Sequence, residues 1–522
     1  MLQQIQKHAT LLAGLFYLVL LTLFFLSDIE TRPIWMDEVC SYYQVRGRSF
    51  TEFLDSMKAG VNFMPYLYFI ILWGVDQLFG LGSVLLRMPS LIFALTAVMV
   101  MHRLLAWRWG VGVAFMSCVS ALLLSKDFAL YSHEARPYAL YMLAGAFALT
   151  SATRLLRQGA GRTTLIYSGC AAFLLPATHY VGIFYSLLIL AALLLAGCRK
   201  GRVWLLSVTG SFGCGWLLFA VLHFSQILSH ANNHSGMNWI PTPGISQVYE
   251  AVLKALAVPS AAVAVLLAYI GYQLFTTNSG QRPVARVIDH SQHQDTDRFW
   301  FVVALSWLLL PPLFTLFAAV GLPNLSVSRY FVPSLLAGCI VVAMLLAAGK
   351  SKWLEEDNAL TSSWRPASLG VVIVLGFCAY PLLAATGHVA LAILGKADKS
   401  AQEDYTDIAK SAMPGVTNNI HLFLEYNFHQ RNGQRLSLLR KTAEETISFP
   451  QIDSSLSLLA VDELQTLPAF RYFYRKGTVN SFPDFDIRAW ADQHGFAIVA
   501  EGSHNGMDLY LLTKLQPAGH PN

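Results

Sequence analysis

The chain has 522 residues, of which 55% are hydrophobic and only 13% charged. A soluble domain carries about 25% charged residues, so this composition excludes an ordinary water-soluble globular chain. The formal net charge of +5 comes from basic residues in short links between apolar blocks. Such charge reports membrane topology and not nucleic-acid binding.

The apolar blocks run roughly over 10–27, 64–80, 84–105, 111–130, 137–155, 163–176, 179–197, 203–224, 251–275, 299–320, 329–348 and 368–393. About 20 apolar residues cross a hydrocarbon core, and in lipid such runs must be helical, because every backbone polar group has to be satisfied internally. The first block, Leu11–Leu26, follows a single Lys (Lys7) and has no small-residue cleavage site before Asp28. It therefore predicts a first membrane helix and not a cleaved signal.

Block 64–80 decides the topology. It is short, holds Pro65 and Asp76, and reaches the next block through Gly80 and Gly82. If it does not cross, one set of links falls on the cytoplasmic side. That set holds Arg103, Arg108, Arg154, Arg157, Arg162, Arg199, Lys200, Arg202, Arg282, Arg286, Arg298, Lys350, Lys352 and Arg365. The opposite links after residue 63 keep only Arg87, Lys126, Arg136 and Arg329. If it crosses, the basic set moves outside, against the positive-inside rule. The sequence thus predicts about eleven transmembrane helices, with 64–80 interfacial or re-entrant.

Three outer segments follow: 28–83, the link around 125–137, and 225–250 with His230, Asn232, Asn233, His234 and Trp239. The predicted domains are a membrane domain, 1–393, and a small soluble α/β domain, 394–522, on the outer side. The tail has strand-like runs at Ile420–Leu424, Leu456–Val461, Ala497–Ala500 and Leu509–Thr513, with a hairpin signal at Asn505–Gly506. Of the seven cysteines only Cys40 lies clearly in a loop, and no CxxC spacing exists, so neither a disulfide framework nor a thiolate metal site is expected.

Three outer sites could carry chemistry. Asp37 and Glu38 are adjacent carboxylates just beyond the first membrane helix, placed where one can act as a general base. The bland reading is a solvated loop acid. His133, Glu134, Arg136 and Tyr138 fall between two membrane helices, with Pro137 suited to open the second. Arginine can grip a phosphate through several donors; the bland reading is a snorkelling Arg with interfacial Tyr. Arg329 and Tyr330 open a late helix at the outer boundary, where the positive-inside rule disfavours Arg. His179 and Tyr180 form a weaker signal, because interfacial Tyr is the default there. Together these groups suit a substrate with an anionic head and a lipid tail.

The Asp37-Glu38 pair resembles the acidic motif of the GT-C fold glycosyltransferases, nearest to the bacterial protein O-mannosyltransferase and aminoarabinose-transferase-like group. Met64-Pro65-Tyr66-Leu67-Tyr68, Leu86-Arg87-Met88-Pro89-Ser90, His133–Tyr138 and Arg329-Tyr330-Phe331-Val332-Pro333 resemble further segments of that group, in order over about residues 1–350. The resemblance implies an integral membrane enzyme that moves a sugar from a polyprenyl-phosphate donor to an acceptor hydroxyl on the outer face, with inversion. It implies Asp37 as catalytic base, Glu38 as a helper or acceptor contact, and Arg136, Tyr138 and Arg329 as phosphate contacts. His133, Glu134, His179 and Tyr330 complete the expected substrate site. The implied partners are a polyprenyl-phosphate-sugar lipid, a glycan, lipid or protein acceptor, and membrane lipids. No cofactor is assigned; His133 and Glu134 are where a divalent cation would bind. The chain departs from the group at Asn62-Phe63, where many relatives place a His or Lys, and the tail matches no named pattern. The alternatives are a lipid or solute transporter, which predicts charged spans or inverted repeats that this chain lacks, and a membrane anchor for the tail, which leaves the outer polar cluster unexplained.

Overall fold

A computed structural model describes residues 2–31, 34–58, 64–123, 125–232, 243–256, 290–320, 325, 327–355, 413–417, 423, 427, 436–440, 458–475, 485–504 and 507–515. The chain divides into two compact units: Met1–Asp28 with Phe63–Ala390, and Ile29–Asn62 with Leu391–Asn522. The predicted span 368–393, most of 251–275, and His234 and Trp239 lie outside the described residues.

The first unit is helical. Its elements are α1 (Leu2–Thr31, which continues into the second unit), α4 (Leu67–Phe79), α5 (Ser83–Trp109), α6 (Val111–Cys118), α7 (Lys126–Tyr131), α8 (Tyr138–Gln158), α9 (Arg162–Thr178), α10 (Gly182–Ala196), α11 (Arg202–Asn232), α12 (Ile245–Leu256), α13 (His290–Ala319) and α14 (Ser334–Glu355). A π-helical turn, Val119–Leu123, prolongs α6, and a 3-10 turn, Ser328–Phe331, precedes α14. Among the described residues five segments are long and apolar enough to cross a bilayer: His8–Ser27, Ser83–Trp109, Tyr138–Gln158, Arg202–His230 and Gln294–Ala319. The chain is a multi-pass membrane protein. α8 is buried on nearly every face, whereas α11 exposes Leu206, Leu217, Val221 and Phe224, as a lipid-facing helix does.

Hydrogen bonds and ion pairs sort the links into two ends. Arg108, in the last turn of α5, forms a bidentate pair with Asp297 at 2.7 and 2.9 Å. Lys200, before α11, pairs with Asp295 at 3.6 Å, and Arg157, at the end of α8, lies over the Trp107 ring. These links share one end of the bundle. At the other, Gln226, near the far end of α11, donates to Met64 O at 2.8 Å. Helix α4 therefore starts at that second end. It also finishes there, because Gly80–Gly82 leads straight into the end of α5 remote from Arg108. Helix α4 does not cross the bundle. Its 13 residues span about 20 Å, short of the ~30 Å hydrocarbon core.

Two glycines set close approaches. A Cβ on Gly145 would meet Leu336 Cδ1 at 3.1 Å and Pro333 Cβ at 3.5 Å, so Gly145 lets α8 pack on the start of α14. A Cβ on Gly182 would overlap the Leu175 carbonyl oxygen. Only glycine fits the tight α9–α10 turn, which is closed by Gly182 N–H donating to His179 O at 2.7 Å.

The second unit holds α2 (Met36–Val45), α3 (Phe50–Lys58), α15 (Ile487–His494) and a six-stranded mixed sheet. Its strands are β1 (Gly415–Thr417), β2 (Leu436–Arg440), β3 (Leu458–Ala460), β4 (Ala469–Arg475), β5 (Phe496–His504) and β6 (Met507–Lys514), ordered β3-β2-β1-β4-β6-β5. The first four are parallel, and β6 runs antiparallel to β4 and β5. His504 pairs with Met507, so the hairpin closes over the expected Asn505–Gly506, which itself lies outside the described residues. Of the expected strand Ile420–Leu424 only Phe423 is described, and it is helical. Val416, Leu439, Phe470, Tyr472, Trp490 and Leu512 form the core.

Gly182→Ala is expected to cost about 1–3 kcal/mol through overpacking. Thermal unfolding of the detergent-solubilised protein should read this as a midpoint lower by several degrees. An unchanged midpoint would mean that the turn accommodates a Cβ.

Candidate active site at the His179 end of the bundle

Apart from Asp37-Glu38, the segments that resemble family motifs lie in the first unit. Tyr68 Oη lies 3.0 Å from Ser90 Oγ, and Ser90 Oγ donates to Arg136 O at 3.4 Å. One hydrogen-bonded chain thus ties α4 and α5 to the link before α8. That link, Ser132–Pro137, is buried throughout. Buried polar backbone needs partners, and the Tyr68–Ser90–Arg136 chain supplies one.

Tyr185 secures the Arg329 turn. Ser334 Oγ donates to Trp307 O at 2.6 Å, so its proton is committed there. Tyr185 O–H is then the donor in the 2.6 Å bond to Ser334 Oγ, and it shares that proton with Phe331 O at 3.3 Å. Helices α10 and α13 together hold the Ser328–Phe331 turn, and with it Arg329 and Tyr330.

His179 lies in the turn between α9 and α10, where these pieces meet. Its ring centroid is 4.7 Å from Tyr330, 5.2 Å and nearly parallel to Tyr141, and 6.4 Å from Tyr138. Val181 N–H donates to its Nδ1 at 3.2 Å. Burial, then the positive charges of Arg136 and Arg329, hold its pKa down at about 3. The imidazole is neutral at physiological pH. The two arginines act on one buried group, although they are far apart in sequence.

Tyr131, at the end of α7, shares this environment. Burial raises its pKa; a hydrogen bond from Ser328 and the charge of Arg329 oppose the rise, while Asp127 and Glu134 add to it. Glu134 is buried, as is His133, whose Nδ1 lies 3.1 Å from Ser132 Oγ and whose ring meets Phe25 edge-on at 6.2 Å. Arg136, Tyr138, His179, Arg329 and Tyr330 thus form one cluster, with His133 and Glu134 on the same link as Arg136.

Asp37 and Glu38 belong to the second unit and stand in the first turn of α2. Glu38 is fully buried, and its Oε2 accepts from Trp35 N–H at 3.4 Å, which caps the helix. Asp37 is half-buried, and Ser41 Oγ donates to its carbonyl at 3.0 Å. Among the described residues no group of three His, Cys, Asp or Glu side chains is arranged to hold a metal ion.

Sequence reasoning missed Tyr131, Tyr141 and Tyr185. Tyr141 follows Tyr138 by three residues, the spacing that places two side chains on one helix face, and that was the available signal.

The chain is a membrane protein with the GT-C fold. Solved structures agree. ArnT from Cupriavidus metallidurans bound to undecaprenyl phosphate resembles 95% of this chain and 97% of its own, with 15% identity and a TM-score of 0.54. The apo state of the same protein gives 95% and 97%, with 13% identity and a TM-score of 0.56. No protein-family model matches the sequence, and no curated protein sequence does.

A depressed histidine pKa makes folding pH-dependent. Above pH ~6.5 neither state binds the proton; below it the unfolded chain binds one and the folded chain does not. The His179 contribution is therefore lost progressively as pH falls from about 6.5 toward about 3. Between pH 7 and pH 5 the thermal midpoint of wild type should drop further than that of His179→Gln. Parallel profiles would contradict the buried, neutral assignment.

Proposed function

We propose that this protein is a glycosyltransferase that moves a sugar from a polyprenyl-phosphate donor to an acceptor hydroxyl on the outer, periplasmic face of the plasma (inner) membrane. The carrying observation is that Arg136 and Arg329 converge on the buried His179 at one end of an apolar bundle. A lipid-linked phosphate has the matching form: an anionic head for the arginines and a tail for the helices. The likeness of fold to a protein solved with undecaprenyl phosphate supports the same ligand class.

In this reading Arg136, Arg329 and Tyr138 hold the phosphate, while Tyr330, His133 and Glu134 complete the substrate site. The acceptor O–H gives its proton to Asp37 as its oxygen forms a bond to the anomeric carbon. The bond from that carbon to the phosphate oxygen breaks, and the polyprenyl phosphate leaves with the electron pair. Attack opposite the leaving group inverts the anomeric centre. The phosphate is already a good leaving group and needs charge stabilisation more than protonation, which guanidinium groups supply. Asp37 fits the base role better than Glu38, because the Glu38 carboxylate caps α2.

The test is deletion of the gene from its host, with mass spectrometry of envelope glycans and of the polyprenyl-phosphate-sugar pool. A missing glycan substituent and an accumulated donor are expected, restored by wild type but not by Asp37→Asn inserted at the same level. Unchanged glycans and pool would remove the transferase reading. Restoration by Asp37→Asn would remove Asp37 as base.

A further inference from the structure

The hydrogen bonding of His179 fixes more than its position. A ring nitrogen that accepts a hydrogen bond carries no proton, so the 3.2 Å bond from Val181 N–H to Nδ1 leaves the proton of the neutral ring on Nε2. Among the described residues Nε2 is buried with no hydrogen-bond partner, and the same holds for the hydroxyl of Tyr141 stacked against the ring. An unfilled N–H donor in a buried, cationic setting is costly unless a ligand completes it. His179 is 3% exposed, and its ring is fixed by Val181 N–H, Tyr141 and Tyr330, so it cannot swing away to find water.

We propose that His179 is an uncharged hydrogen-bond donor, through Nε2–H, to the phosphate oxygens of the lipid carrier held by Arg136 and Arg329. This rests on the phosphate-binding reading above and adds a residue that discriminates between the states of that phosphate. In the donor the phosphate is a diester with one negative charge. When its bond to the sugar breaks, the carrier departs as a monoester with a charge approaching two. A fixed neutral donor gains strength as that charge develops, which favours the transition state over the bound substrate. Arg136 and Arg329 supply two positive charges, which match the departing monoester, and His179 adds direction without adding charge.

The experiment uses the full-length protein in phosphatidylcholine nanodiscs and three probes: undecaprenyl phosphate, undecaprenol and inorganic phosphate. His179→Leu should weaken undecaprenyl phosphate binding by about tenfold to a hundredfold, the range for a hydrogen bond to a charged group. It should leave undecaprenol binding unchanged. His179→Gln, whose amide N–H can stand where Nε2–H does, should bind close to wild type. Inorganic phosphate competing with the lipid would show that the headgroup is recognised; undecaprenol competing as strongly as undecaprenyl phosphate itself would place the affinity in the tail and overturn the proposal. Equal losses in His179→Leu and His179→Gln would also overturn it, since they would report packing and not donation. Should His179→Leu fail to fold, 15N NMR of wild type decides. The Nε2–H signal is expected to move on adding undecaprenyl phosphate, and a stationary signal rejects the contact. If His179→Leu binds like wild type while Arg136→Gln and Arg329→Gln lose affinity, His179 is excluded and the phosphate site stands. If all three bind like wild type, the phosphate reading itself fails.

Discussion

Positive charge held at the buried end of an apolar bundle is the constraint around which the first unit is arranged. Arg136 is 5% exposed, and Arg329 is half-buried in the turn before α14. Removing a guanidinium from water costs several kcal/mol and must be offset by its surroundings. The backbone that carries each arginine is held in place. The Tyr68–Ser90 chain holds the Arg136 backbone, and Tyr185 with Ser334 holds the Arg329 turn. Gly182 keeps the His179 turn tight enough to enter the same space. Each device serves the placement of charge, and each lies within or beside a segment that reads as a motif.

The two ends of the bundle use arginine differently. Arg108 meets Asp297 in a bidentate pair and Lys200 meets Asp295, so the first turns of α13 neutralise the links that pack on them. Such pairs fix geometry and leave little field beyond themselves. At the other end burial and, after it, the charges of Arg136 and Arg329 keep a histidine neutral, while the charge of Arg329 opposes the rise that burial gives Tyr131. Charge that perturbs the titration of its neighbours is a common mark of a working site.

Charge and hydropathy made much of this legible. The misplacement of Arg136 and Arg329 against the positive-inside rule singled out both residues before any contact was known. The charge asymmetry of the loops likewise set 64–80 apart, and the pairing of Met64 with Gln226 gives the physical counterpart: α4 begins and ends on one side. Tyr141 and Tyr185 escaped because an aromatic residue inside an apolar block looks like packing, and only tertiary contact shows that it borders an imidazole. In the second unit the β1 strand Gly415–Thr417 is too short for a period of two to show. Alternation begins in β4, as Phe470, Arg471 and Tyr472, but the buried Phe473 between Tyr472 and Tyr474 breaks it. The roles of Asp37 and Glu38 were not separable in sequence, since adjacent carboxylates look alike until one is seen capping a helix.

The tautomer of His179 carries the reasoning one step further than residue identity. A histidine beside two arginines invites the reading of a third cation, and composition alone would favour it. Burial and the two positive charges act in the same direction against protonation, and the backbone N–H of Val181 independently requires an unprotonated Nδ1. Two unrelated physical effects therefore leave one protonation state. That state turns a cluster of like charges, which would repel, into a set of donors with complementary demands: two that attract an anion at long range and one that acts only at contact. Long-range attraction responds to the charge of an anion and not to its shape, whereas a contact donor of fixed direction discriminates by geometry. In the proposed reading, selectivity at this end of the bundle resides in the turn between α9 and α10, and the backbone hydrogen bond from Val181 sets it.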